Sequence, residues 1–119
     1  MDAFEAEVWD ARDRILLGLP PTERSLLLDT RFVIQGLPDS TQLGSIQPGA
    51  ILLGLYTTPP PVITVFRGNI ERVGKPAREV VAHEIGHRLG LNHVLAGMAH
   101  RRACGVDGAQ PLRAAAYVI

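Results

Sequence analysis

Three of the four histidines fall in one short stretch, "VVAHEIGHRLGLNHV", from Val80 to Val94, and Glu84 stands among them. On a helix, His83 and His87 are one turn apart, about 40° from each other, with Cβ atoms roughly 5–6 Å apart. Both imidazoles can then reach one ion at a Zn–N distance of ~2.0–2.1 Å. Glu84 lies on a neighbouring line of the helix, placed to act on a ligand of the metal rather than on the metal itself. Val81, Ile85 and Leu89 form a separate stripe half a turn from the histidines. That pattern assigns one face to the core and the opposite face to chemistry.

His93 cannot join the other two if the helix runs straight on, because it would sit about 240° round from His87. Gly90 stands where the chain must break and turn back, and glycine takes a positive φ without penalty. The bland alternative is a helix with solvent-facing histidines and Gly90 as a plain C-cap. The complete spacing HExxHxxGxxH favours a metal centre over that alternative.

The eleven residues "HEIGHRLGLNH" resemble the zinc-binding consensus of metzincin peptidases. Outside the motif, the chain is similar to the small bacterial zincin-like metallopeptidases, or minimal zincins. The similarity rests on "LLGLY" at Leu52 to Tyr56, "ITVFRGNIER" at Ile63 to Arg72 and "VVAHEIGH" at Val80 to His87. It covers residues 50 to 93 well, the N-terminal helix and strand loosely, and residues 94 to 119 not at all. The resemblance implies a minimal zincin-like α+β fold, with an N-terminal helix, a small mixed sheet of three to four strands, a long active-site helix and a short C-terminal tail. It also implies one Zn²⁺ per chain held by His83, His87 and His93, with Glu84 as the catalytic base. Family members often carry Asp at the third position.

Other third ligands remain open. No glutamate follows Glu84, and the remaining candidates are His100 and Asp107. Met98 follows His93 too closely to be the methionine turn that metzincins place beneath the metal, and it is expected to pack in the core or the tail. With three imidazoles on zinc, a bound water would lose its proton to Glu84 and attack a peptide carbonyl, and zinc would stabilise the oxyanion. The expected activity is that of a zinc metallopeptidase acting on peptide or unfolded protein. Two rivals stay open. A bacterial RNA-processing endonuclease family carries HGxxHxxGxDH, but here Glu84 replaces its glycine and Asn92 its aspartate. A catalytically silent zinc-binding module is the other.

The elements that must position these residues are legible in outline. Phe4, Val8, Arg12, Ile15 and Leu19 recur at helical steps over residues 3 to 19, and Pro20-Pro21 end the run. "TRFVIQG" suits a strand, and residues 37 to 49 read as loop. Ala50 to Tyr56 and Val62 to Phe66 read as two more strands, joined by the proline-rich "TTPPP". "PVITVF" is the expected edge strand, its start shielded by prolines. A short polar turn then leads to a helix from about Pro76 to Leu89. The tail should form one short helix and an irregular end. Tyr56 and Tyr117 read as packing residues, Trp9 as core, Arg101-Arg102 as a solvated helix end and Cys104 as inert.

At 119 residues the chain forms one domain, residues 1-119. Twelve Lys and Arg balance twelve Asp and Glu, which gives no global reason to expect nucleic acid or anionic membrane as partner. One cysteine makes no internal disulfide and fits a reducing compartment. The start "MDAFEAEVWD" lacks the basic and apolar pattern of a signal peptide, and no apolar run reaches membrane-spanning length. The expectation is a cytoplasmic monomer.

Overall fold

The computed structural model describes residues 1–44, 46–90 and 114–119. The fold is mixed α+β, with five helices and four strands among the described residues. Helix α1 spans Ala3–Gly18, and its amide at Glu5 donates to the Asp2 side chain at 2.9 Å. That hydrogen bond, then the Arg67 guanidinium, holds the Asp2 carboxyl below its usual range. Helix α2 follows at Pro21–Leu28. Pro21 does not simply stop α1; it occupies the first turn of a new helix, where its missing N–H is harmless.

Strand β1 is Arg31–Gln35, inside the expected "TRFVIQG". The loop expected at 37 to 49 contains a one-turn helix, α3, at Ser40–Leu43, nucleated by a capping box between Asp39 and Gln42. Strands β2 (Leu52–Thr57) and β3 (Val62–Phe66) lie where their β-branched and apolar residues place them. The polar turn expected after Phe66 is a helix, α4, at Arg67–Val73, closed by Gly74 at φ 76°. Helix α5 spans Ala77–Arg88, with Pro76 as N-cap. The irregular end expected for the tail includes a fourth strand, β4, at Ala114–Val118.

The strand order is β1-β3-β2-β4, with β1 parallel to β3 and the other two pairings antiparallel. This overturns the expectation that "PVITVF" is an edge. β3 is flanked by β1 and β2, and it is buried from Ile63 to Phe66 as a central strand must be. The outer strands are β1 and β4.

Helices α1 and α5 cover one face of the sheet. Val80, Val81 and Ile85 of α5 join Phe4, Val8 and Ala11 of α1 in a single apolar cluster. Each of those three α5 side chains is at most 2% exposed, contributing roughly 1.5–3 kcal/mol of transfer free energy. A smaller cluster of Leu52, Leu55, Phe66 and Ala116 holds further apolar side chains of the sheet. Among the described residues no helix is long and apolar enough to cross a membrane.

The register of β2 against β4 shifts between Leu52 and Gly54. A bulge of this kind turns successive residues to one side and leaves a ladder group to be satisfied elsewhere. Buried Asn69 of α4 donates its side-chain amide to the carbonyl of Leu52 at 2.9 Å. Asn69→Ala should therefore destabilise the fold by about 1–3 kcal/mol, read as a lower urea midpoint with an unchanged slope.

Candidate metal centre

Helix α5 carries the motif. Glu84 and His87 are 0% and 6% exposed, as buried as the core residues beside them. The functional side chains do not line a solvent face. Val80 and Glu84 press on the sheet at Gly54, where an added Cβ would stand 2.8 Å from Val80 Cγ1 and 2.9 Å from Glu84 Cγ. Only glycine permits that approach, which is the physical meaning of the glycine inside "LLGLY".

His83 and His87 converge as their spacing requires. Their Nε2 atoms are 3.1 Å apart. Two neutral imidazoles cannot both aim lone pairs into that gap; a shared proton or a cation must lie between them. Nitrogens bound at ~2.0–2.1 Å and separated by this distance subtend roughly 100° at an ion, close to tetrahedral. The pair therefore fits a metal. Coordination through both Nε2 atoms would leave each ring's proton on Nδ1.

Glu84 completes a group whose candidate ligand atoms lie within 4.8 Å of one another. Its Oε1 stands 4.0 Å from His87 Nε2, beyond a direct hydrogen bond. Neither carboxylate oxygen has a hydrogen-bond partner among the described residues, and both are buried. Burial pushes the carboxyl well above its ordinary value of 4.5. A cation beside it would offset that desolvation, so the donor set and its acid fit a divalent metal. The His83–Glu84–His87 group could thus hold a metal ion; nothing in its geometry selects the element.

The C-terminal side of α5 is fixed just past the histidines. Arg88 Nε donates to Thr30 Oγ1 at 2.8 Å, and that hydroxyl donates to the Leu26 carbonyl at 2.7 Å. Leu89 caps the helix and Gly90 takes φ 68°, the left-handed turn expected of it. His93, the expected third ligand, lies outside the described residues, as do His100, Asp107, Met98, Cys104 and Arg101-Arg102.

Tyr117, read from the sequence as a packing residue, is in the core and also lies against the site. Its ring lies 4.3 Å from that of His83, centre to centre. Tyr117 stands opposite Gly54 in the β2–β4 pairing. Thirty-four positions separate Tyr117 from His83 in sequence, and no local periodicity connects them. Tyr56, the other tyrosine, is core, as expected. Trp9 is half-buried and packs on Phe32, their ring centres 6.0 Å apart.

No family model matches the chain, and no curated protein matches it in sequence.

Two outcomes test this geometry. Gly54→Ala should destabilise the protein by roughly 1–3 kcal/mol through overpacking against α5, measured by chemical denaturation. Glu84→Gln bears on the buried carboxyl of the metal-free protein. Its raised proton affinity means that the folded state resists ionisation, so the cost is absent below pH 4.5 and grows as pH rises above it. The variant's melting temperature relative to wild type should accordingly rise between pH 4.5 and pH 8.

Proposed function

We propose that the protein is a zinc-dependent metallopeptidase, in which His83 and His87 hold zinc, His93 completes the ligand set and Glu84 is the general base. The observation that carries this reading is the Glu84 carboxylate, fully buried and without a hydrogen bond among the described residues, beside two converged imidazole nitrogens. A purely structural zinc site is closed by four protein ligands and has no use for an adjacent base. Burying an unpartnered acid is costly, and a reaction that needs a proton acceptor gives it a purpose.

Zinc, when bound, supplies Lewis acidity toward a water and a peptide carbonyl. The rest falls to the chain. His83 and His87 present neutral Nε2 donors at a fixed bite. Glu84 would accept the proton of the attacking water and pass it to the leaving amine. Its complete burial keeps bulk water from the carboxyl. With β3 central, β4 becomes the strand nearest the site along which an extended peptide would align. Short or unfolded peptides are the substrates in view.

The test compares wild type with Glu84→Ala after both are loaded with zinc and dialysed. Wild type should retain about one zinc per chain and cleave members of an unfolded-peptide panel. The variant should keep its zinc and lose at least ~100-fold in cleavage rate. A panel left intact by zinc-loaded wild type, or cleavage undiminished in the variant, overturns the peptidase reading.

A further inference from the structure

We infer that Tyr117 is a positioning residue of the metal centre: its ring braces the imidazole of His83 from β4. The inference rests on the reading of His83 and His87 as metal ligands, and extends it to a strand that carries no part of the motif.

His83 is the more exposed of the two histidines, so backbone burial alone does not settle its rotamer. His87 is buried and fixed by its surroundings. The imidazole of His83 sits between two rings. It meets His87 edge-on at 4.8 Å between centres, and Tyr117 at 4.3 Å with the planes inclined by 57°. Ring pairs at such separations have preferred orientations, which removes freedom that a lone surface histidine would keep.

Tyr117 is itself held. It is 7% exposed and belongs to the main apolar cluster. Its backbone is paired to Gly54 across the β2–β4 ladder. Lys75, just ahead of α5, places its Nζ 5.8 Å from the ring centre. Glu79 lies 3.9 Å beyond that ammonium. The ring is therefore pinned by the sheet at its backbone and by its burial in the apolar cluster. A ligand already in its bound rotamer loses less entropy when the ion arrives, so bracing should appear as metal affinity.

The experiment measures zinc affinity by competition with a chromophoric chelator for wild type, Tyr117→Phe, Tyr117→Leu and His83→Ala. The ligand-field absorption of the Co²⁺-substituted proteins is recorded in parallel. Tyr117→Phe keeps the ring and should stay within about threefold of wild type, whereas Tyr117→Leu should bind zinc on the order of tenfold more weakly. Its Co²⁺ spectrum should shift as well, a change that lost stability alone does not produce. A Tyr117→Leu variant with wild-type affinity and spectrum overturns the inference, as does a Tyr117→Phe variant impaired as much as Tyr117→Leu. Wild type that binds no zinc overturns the metal reading itself, while tight wild-type binding abolished by His83→Ala upholds that reading whatever Tyr117 does. If Tyr117→Leu does not fold, nuclear Overhauser contacts between the rings of Tyr117 and His83 in zinc-loaded wild type decide. Their presence supports the brace and their absence overturns it.

Discussion

The contact on which the site depends is the one between α5 and the sheet at Gly54. Side chains on a central strand normally hold a covering helix at a distance. Here the strand offers bare backbone, and Val80 and Glu84 descend into the space a methyl group would fill. The bulge between Leu52 and Gly54 and the Asn69 bond to the Leu52 carbonyl belong to the same arrangement, because the close approach needs a locally irregular strand that remains hydrogen-bonded. What α5 loses in side-chain packing area at Gly54 is offset by Val81 and Ile85, which anchor it in the cluster with α1.

That geometry imposes an electrostatic strain on the metal-free protein. Glu84 is carried into the interior with no donor to meet it among the described residues, and the two Nε2 atoms face each other across a gap that suits an ion. Local rules of polar satisfaction are broken at Glu84, and such places tend to be functional. A cation between the imidazoles would relieve both tensions together, coupling metal binding to the stability of α5.

The sequence revealed the site better than its surroundings. The i, i+4 histidines, the positive φ at Gly90 and the limits of α5 follow from helical geometry and glycine chemistry, which are local. Strands β2 and β3 were legible from β-branched runs. α2 was hidden because Pro20-Pro21 serves both as an ending and as a beginning, and α3 and α4 because seven residues or fewer give periodicity nothing to repeat. The order of the strands was beyond local reading: prolines ahead of Val62 suggested an edge, yet pairing on both sides depends on β1 and β2. The contact of Tyr117 with His83 was hidden for the same reason, since only strand pairing brings the two together.

The sheet order also bears on how the molecule assembles in time. β2 pairs on one side with β3, its neighbour in sequence, and on the other with β4, about half the chain's length away. The first pairing closes a short loop and the second a long one, and long loops close late. The helix bearing both imidazoles can therefore dock on a three-stranded sheet before the fourth strand arrives. Docking of α5 thus depends on local structure, and completion of its surroundings by β4 on the longest-range pairing in the sheet.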